Sequence, residues 1–584
     1  RIGRALVGIT RRAMSSQAGI GSAVAHADAT GMVALTEGSA TVLFEEGEVF
    51  YNKAQVFNRD LSVAVLNAFA EDRKAEWDAR TAKHRARRAA DSAKAAAASA
   101  ASVGSAASGD GQMAPAESKD GAGDEKEAPF PGINILEALS ATGLRSIRYA
   151  NEVQLVSSIV ANDMDASAVE AIRRNVEHNG VAHLVRPNQG DAMAVMYSSR
   201  DLADRFDVVD LDPYGSASVF LDGAVQCVKN NGLLAVTCTD MNTLAGINIH
   251  ATYGRYGSVA VKHDYCHELA VRMVLHAIAA SAARYGRIVE PLLSLSINYY
   301  VRVFVRVRDS RSSVLRLPQS LGYLSQCSEC PAFAVQPMGR PSKDSSTAPH
   351  IVEGVGPTCV HCGAANTLSG PYWMGPLHDA PFVDRCQEAL KGEGLAAKAK
   401  YGIADRVRAM LTVARGELDT PLYYEMHKLS RAFRVTSLSM DTFQNGIVNA
   451  GYDVSLTHCR PGAAKTTAPP SLVFDVMREW AKRNPPTAKR LAEDSAGNRI
   501  LRQPSTREVE LDKRPEGAKA LRPPDVTIFP PPPERNWGPK GRAGQGKGSK
   551  GAKKAKAGER VAAEAKEAAA AGGGAENPAK RQRR

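Results

Sequence analysis

The chain has 584 residues, 44% of them hydrophobic, enough to bury sizeable cores in about three or four domains. No run of eighteen or more apolar residues occurs, which argues against a membrane-spanning helix. The net charge of +12 sits in the ends: residues 541–584 carry 12 Lys/Arg against 4 Glu and residues 1–27 carry four Arg and no acid, so the body is near neutral and the basicity speaks for targeting or loose phosphate attraction.

In chain order, "RIGRALVGITRRAMSSQAG" is rich in Arg and Ser, acid-free and partly apolar, the features of a mitochondrial transit peptide. Residues 1–30 read as disordered. "TEGSATVLFE" and "VFYN" read as short strands or turns, and "NRDLSVAVLNAFAEDRKAEW" has helical periodicity. Residues 80–129 are Ala/Ser/Gly-rich and charged, too poor in large apolar side chains to order themselves, and read as a low-complexity insertion, partly helical. Strands then alternate with helices: "INILEAL", "VSSIVAND", "FDVVDLD" and "NGLLAVTCTD" each lead into a helical pattern, and "IVEPLLSLS" and "YYVRVFVRV" close the run. That alternation predicts an α/β fold with a mainly parallel, doubly wound sheet whose ligands bind beyond the carboxyl ends of the strands. A second, α+β region opens at about 311 with two Cys-x-x-Cys pairs and continues through helical patterns. After about 510 the chain is Pro/Gly/Lys-rich. The predicted domains are a disordered start (1–30), a Rossmann-like catalytic domain (31–310), a C-terminal domain (311–480) and a disordered basic tail (481–584).

Three strand ends carry carboxylates. "NILEALSATGLRS" is a strand, a small-residue loop and a helix start, where backbone N–H groups can approach a ligand. Asp163, about 20 residues on, can accept both ribose hydroxyls of an adenosine. The absence of a strict G-x-G-x-x-G disfavours a dinucleotide. Asp191 can accept an adenine amino group. In this order the three fit a donor site for S-adenosyl-L-methionine of the Rossmann-like methyltransferase type. Asp212-Pro213-Tyr214 ends the fourth strand beside the expected methyl donor. A carboxylate and a proline carbonyl can take the two N–H bonds of an exocyclic amine and localise its lone pair, while Tyr214 offers a stacking face. A base inside a helix has to be flipped out to enter such a pocket.

The segments "TEGSATVLFEEGEVFYNKAQVFNRDLSV", "ILEALSATGLRSIRYANE", "VANDMDASAVEAIRRNVEHNG", "FDVVDLDPYGSASVFLD", "GLLAVTCTDMNTLAG", "YCHELAVRMVL" and "SLTHCRPGAAKTTAP" together resemble the tRNA (guanine-26 N2)-dimethyltransferase family, over roughly 31–480 without the Ala-rich insertion. The resemblance implies a class I S-adenosyl-L-methionine-dependent enzyme that methylates the N2 amine of a tRNA guanine once and then again. It implies that Phe50 walls the base pocket, Arg59 pairs with the carboxylate of the donor's methionine moiety, Arg145 lines the donor site and Asp212 is the catalytic carboxylate. Lys53 and Tyr214 depart from the family's commoner Pro and Phe. The competing readings are an exocyclic-amine methyltransferase acting on another RNA or on DNA, and a catalytically silent RNA-binding protein.

Nine cysteines are few for this length, and four form Cys327-x2-Cys330 and Cys359-x2-Cys362. Paired knuckles of this spacing predict a structural zinc held by four thiolates, with His361 as a substitute ligand. His267 and Glu268 on a long helical pattern read as structural. The closing "KRQRR" suits a nuclear signal or an RNA-attracting arm. The expected partner is tRNA and no membrane, the protein a monomer of the nucleus and/or mitochondrion.

Overall fold

The alternating pattern resolves into a seven-stranded sheet in the order β6-β5-β4-β7-β8-β10-β9. The computed structural model describes residues 22–25, 32–45, 51–103, 129–343, 346–486, 492–516, 520–521 and 527–530. The sheet strands are β4 (Ile133–Glu137), β5 (Val156–Asp163), β6 (Val185–Gln189), β7 (Phe206–Leu211), β8 (Val228–Cys238), β9 (Arg287–Ile297) and β10 (Tyr300–Asp309). β4 through β8 pair in parallel, while β10 runs antiparallel to both β8 and β9. Upstream lies a small antiparallel sheet of β1 (Ser22–Ala25), β2 (Met32–Glu37) and β3 (Ala40–Glu45). Residues 22–25, expected to be disordered, are therefore a strand, paired with β2.

Helices cover both faces, which is why the strands read as nearly continuous apolar runs. On one face lie α1 (Val56–Val103), α2 (Leu144–Glu152) and α3 (Ala166–His178), whose Phe57, Leu61, Ile147 and Ile172 share a core with Ile135, Val208 and Phe304 of the sheet. On the other lie α4 (Ala192–Ser198), α5 (Leu221–Cys227) and α7 (Cys266–Ala283), packing Met196, Val225 and Met273 on Val209 and Val303. Helix α6 (Ile249–Tyr256) follows β8 at the carboxyl end of the sheet.

Helix α1 is longer than its sequence pattern suggests: 48 residues, about 72 Å at the α-helical rise. Its first turns are buried, and from Arg80 to Lys94 it is almost wholly exposed. The Ala-rich stretch lacks the apolar payload for a core, yet alanine is the best helix former, so the helix propagates to Val103. Residues 104–128 of the expected insertion lie outside the described residues.

The C-terminal region is an α+β unit. β11 (Leu321–Cys327) is flanked by β12 (Phe333–Pro337) and the strand Asn366–Trp373. The four paired cysteines join a core with Phe433, Leu472, Phe474 and Met477. Residues 492–516, expected to be tail, carry the helix Ala496–Leu501 and bury Ile500 and Leu511 in that core. A short, charge-rich segment hides its few apolar anchors from a periodicity search.

This unit docks on the open edge of the large sheet. β9 is the edge strand, and outward backbone groups in its second half find polar partners. Ser294 N–H donates to His378 Nδ1 (3.4 Å), Ser296 N–H donates to His458 Nε2 (3.1 Å), and the Leu292 carbonyl accepts from Asp379 N–H (2.9 Å). The other ring nitrogen of His458, Nδ1, lies 2.6 Å from Glu417 Oε2. Lys465 Nζ bridges Glu417 Oε1 (3.0 Å) and Glu268 Oε1 (3.3 Å), and Glu268 also binds Arg272 (2.7 Å). Glu268 is thus a structural group in this cluster.

Candidate active site at the strand ends

The carboxyl ends of β4, β5 and β7 are locked together by buried amides. Asn162, wholly buried, donates to the Ala138 and Gly190 carbonyls (both 3.0 Å) and accepts from the Asn188 side chain (2.7 Å). Ser140 N–H donates to the Asn162 carbonyl and Ala138 N–H to that of Asp210. The loop between β4 and α2 is left-handed at Ala141 (φ 49°) and Gly143 (φ 77°), and an added Cβ at Gly143 would press on Ile172 at 3.3 Å. A tight turn of this kind brings backbone close to a ligand.

Asp163 is the last residue of β5 and half-buried. Its Oδ2 accepts from Ala141 N–H (2.9 Å) and its Oδ1 from Asp165 N–H (3.1 Å), which aims the carboxylate across the loop. Asp191 is exposed and lies just past β6, where its carboxylate caps α4 by accepting from Ala194 N–H (3.0 Å). Each carboxylate is thus anchored on one side and keeps acceptor capacity for hydroxyl and amino hydrogens.

Asp212 lies one residue beyond β7 and is partly exposed, next to a buried Pro213 and a Tyr214 that is 65% exposed. Arg145, from the start of α2, is buried and donates through Nη2 to Asp212 Oδ2. The family resemblance implies that Arg145 lines the donor site. In the structure it is the partner of the candidate catalytic carboxylate. Beneath the pair lies a charge network that the sequence reading missed. Asp210, two residues back and so on the same face of β7, accepts from Arg302 Nη1 (2.8 Å) and Tyr149 OH (2.6 Å), with Arg145 Nη1 at 3.7 Å. Arg302 also donates to Ser62 Oγ (2.9 Å) and Thr237 Oγ1 (3.0 Å). Burial alone would raise the Asp210 carboxyl, but Arg302 and Arg145 outweigh it and hold it below the usual range. Glu137, at the end of β4, goes the other way: burial pushes it up to about 7, against the pull of Arg145 and Ser146. An Asp and an Arg in the middle of apolar strands ("VVDLD", "YYVRVFVRV") were the signal available in the sequence.

Arg59 sits on the first buried turn of α1 and its fork engages Glu37 of β2, Nε to Oε1 at 2.6 Å and Nη2 to Oε2 at 2.5 Å. Glu37 also meets Arg148 Nη1 at 2.8 Å. Burial would raise Glu37, yet the two guanidiniums hold it at about 2. These bonds use Nε and Nη2, so Nη1 is the Arg59 nitrogen left for a ligand carboxylate. Phe50 lies outside the described residues.

At the sheet of β11, Cys327 Sγ and Cys362 Sγ are 3.4 Å apart, Cys330 Sγ and Cys359 Sγ 3.7 Å, and all four sulfurs lie within 4.8 Å of one another. A tetrahedron of sulfurs about 2.3 Å from a zinc has edges of about 3.8 Å, so this cluster is compatible with zinc. Glu329 and Cys330 N–H both donate to Cys327 Sγ (3.4 Å). The His361 ring instead packs edge-on against Phe474 at 4.9 Å. His378, Glu417 and His458 also converge, but the Lys465 ammonium, 3.0 Å from Glu417, holds the place a cation would take. A cavity of about 780 Å³ is lined by Asn134, Ser158, Pro187 and Phe206 at the opposite, amino end of the strands, away from these carboxylates.

No described helix is long and apolar enough to cross a membrane. Residues 31–478 match the family model described as N2,N2-dimethylguanosine tRNA methyltransferase. The chain is 40% identical over 520 residues to the tRNA (guanine(26)-N(2))-dimethyltransferase of Schizosaccharomyces pombe, covering 88% of this chain and 92% of the relative. It is 36% identical over 533 residues to the Saccharomyces cerevisiae protein named tRNA (guanine(26)-N(2))-dimethyltransferase, mitochondrial, covering 87% and 91%. Among solved structures, Trm1 from Pyrococcus horikoshii, in complex with S-adenosyl-L-methionine, superposes with a TM-score of 0.57 at 24% identity, covering 76% of this chain and 99% of that one, a likeness of fold. With the strand-end carboxylates in place and a family match across most of its length, the chain belongs to the N2,N2-dimethylguanosine tRNA methyltransferase family.

Proposed function

We propose that the chain transfers methyl groups from S-adenosyl-L-methionine to the exocyclic N2 of guanine 26 in tRNA, giving N2-methyl- and then N2,N2-dimethylguanosine. The observation that carries this reading is the end of β7, where a partly exposed Asp212 is engaged by the buried Arg145 and followed by Pro213 and an exposed Tyr214. The acceptors Asp163 and Asp191 suit the ribose hydroxyls and the adenine amine of the donor, so the residues present fit it. When bound, S-adenosyl-L-methionine supplies the electrophilic methyl group. The chain's own groups do the rest. Asp212 and the Pro213 carbonyl accept the two guanine N–H bonds, which turns the nitrogen lone pair away from the ring. Tyr214 holds the base by its face. Arg145 holds Asp212 in place, and Asp212 or water takes the proton that leaves the nitrogen. Arg59 and Phe50 keep the roles that the resemblance implies.

Incubating the protein with tRNA and donor, then digesting the RNA for nucleoside mass spectrometry, tests the activity. Mono- and dimethylated guanosine should appear, and both should vanish when guanine 26 is replaced by adenine. Methylation that persists on that RNA would move the reaction elsewhere.

The donor site has its own test. Asp163→Ala should weaken S-adenosyl-L-methionine binding by about 1–3 kcal/mol, the loss of hydrogen bonds to a charged acceptor. The fold should hold, because Asp163 contacts only its own loop and the next turn. Unchanged donor affinity by calorimetry rules the assignment out.

The four-cysteine cluster is proposed as a structural zinc site, since four thiolates leave no open position. Purified protein should contain about one zinc per chain. Cys327→Ser should loosen the C-terminal unit while donor affinity stays unchanged. Elemental analysis that finds no metal in fresh protein decides against it. We further propose a monomer that acts in the nucleus and/or the mitochondrion, in keeping with the name of the Saccharomyces cerevisiae relative. The acid-free start and the basic tail that motivate this lie outside the described residues.

A further inference from the structure

Large apolar side chains left in solvent collect at the mouth of the site. Tyr214 (65% exposed), Val219, Ile247 (65%), Ile249 and Tyr253 fall in two segments that are bonded to each other. One follows Asp212 and the other follows β8. Gly215 N–H donates to Thr239 Oγ1 (2.8 Å) and its carbonyl accepts from Thr239 N–H (2.8 Å). Ser216 Oγ donates to Tyr256 OH (2.8 Å), which donates to Asp240 (2.7 Å).

Ile247 is not on a loose loop. The turn that carries it is hydrogen-bonded throughout: Ile247 and Asn248 N–H both donate to the Asn242 carbonyl (3.2 Å), and buried Thr252 Oγ1 donates to that of Thr243 (2.9 Å). Gly246, at φ 74°, lies so close to the Val261–Lys262 backbone that a Cβ there would meet it at about 3.0 Å. The backbone is thus pinned while the isoleucine beside it is held out in water, against the usual tendency of such a side chain. Lys262, at the point where the turn is pinned, is exposed and forms no ion pair among the described residues.

We propose that Ile247, backed by Ile249, is the wedge that enters the RNA base stack when the target guanine is drawn out toward Asp212. The inference rests on the proposed N2-methylation of a tRNA guanine. A base that leaves its stack opens a gap between its neighbours, and a rigid apolar side chain that fills the gap lowers the free energy of the extruded state. Gly215–Thr239 and Ser216–Tyr256–Asp240 tie the segment that carries Ile247 to the Asp212-Pro213-Tyr214 turn, so in this account the base pairs flanking a guanine drawn to Asp212 meet that segment. Lys262 would meet the RNA backbone there by phosphate attraction. Ile247 is a positioning residue in this account and does not touch the reacting atoms.

The test pairs two substrates and two readouts on the full chain. Single-turnover methylation is measured on tRNA with guanine 26 paired as it is naturally, and on tRNA in which the opposing base is changed so that guanine 26 is unpaired. A third tRNA carries 2-aminopurine at the target position, whose fluorescence rises on unstacking. Ile247→Ala should slow methylation of the paired substrate about tenfold or more. It should leave the unpaired substrate within about threefold of wild type, abolish the 2-aminopurine rise, and leave donor affinity unchanged. Ile247→Leu should restore both the rate on the paired substrate and the fluorescence rise. Equal loss on paired and unpaired RNA would mark a general RNA or partner contact, and a full fluorescence rise in Ile247→Ala would show that flipping does not need the side chain. Either result overturns the wedge. Wild-type protein that methylates neither RNA would sink the reading of the site, while the fluorescence would still judge the wedge.

Discussion

Asp212→Asn should cut single-turnover methyl transfer by roughly 10²–10⁴-fold, the range of a lost acid–base group in a positioned site. The substitution keeps the side chain's shape and removes only its charge. An amide can still accept from the guanine, but it neither holds Arg145 as a carboxylate does nor takes up a proton. Protein stability should be little changed, because the Asp212 side chain is 19% exposed and Arg145 keeps Asp210 and Glu137 as neighbours. Donor affinity should also hold, since Asp163 and Asp191 are untouched. Tyr214→Phe should be nearly silent, for stacking needs only the ring face, whereas Tyr214→Ala should be impaired. Wild-type rates for Asp212→Asn, or equal damage from both Tyr214 variants, would reduce the end of β7 to a plain strand, turn and helix.

The largest effect on stability is expected one layer down. Arg302→Met should cost about 3–5 kcal/mol, because it strands a buried carboxylate. Arg302 and Asp210 are both essentially fully buried, and Arg302 gives Asp210 its closest cation, at 2.8 Å. The loss should depend on pH in a definite sense. In the wild type the depressed Asp210 pKa contributes stability above the unfolded value, about 3.9 for an aspartate, that fades as pH falls. In the variant burial dominates, the pKa rises, and stability falls as pH climbs above the unfolded value. The gap between the two proteins should therefore be widest near neutrality and narrow toward pH 4. Urea unfolding across that range measures it. A gap that stays constant, or an unaltered midpoint, would mean that Arg302 is not what keeps Asp210 charged.

How much of this was legible in the chain depends on distance along it. Strand, loop and helix alternate at short range, so the sheet, its carboxyl-end loops and the carboxylates Asp163 and Asp212 were readable from local pattern. So were the two Cys-x-x-Cys pairs, whose spacing is itself the geometry. Asp191 was readable as a strand-end acid, but its second contact, the cap on Ala194 N–H, was not, because a strand-end acid and a helix cap look alike in one sequence. Pairings across long separations left no trace. Arg59 meets Glu37 from 22 residues away, and Arg302 reaches Asp210 from 92. A charge inside an apolar strand can be noticed in one sequence, but the residue that neutralises it cannot. The extension of α1 to Val103 was hidden for another reason: composition that forbids a core does not forbid a helix.

The backbone partners of β9 set an order for making the protein. β9 and β10 are finished by Asp309, but the groups that satisfy the outer rim of β9 come from His378 and Asp379 and finally from His458, roughly 150 residues later. At about 5–20 residues per second, a ribosome leaves that rim bare for roughly 7–30 s. During this time the nascent sheet offers unpaired N–H and C=O groups to any other extended chain, the condition that leads to strand-to-strand aggregation. Truncation near residue 310 would make the state permanent. Such a fragment should be recovered mostly from inclusion bodies although it contains every strand of the large sheet, and translation that stalls between the two halves should be costlier than stalling after His458.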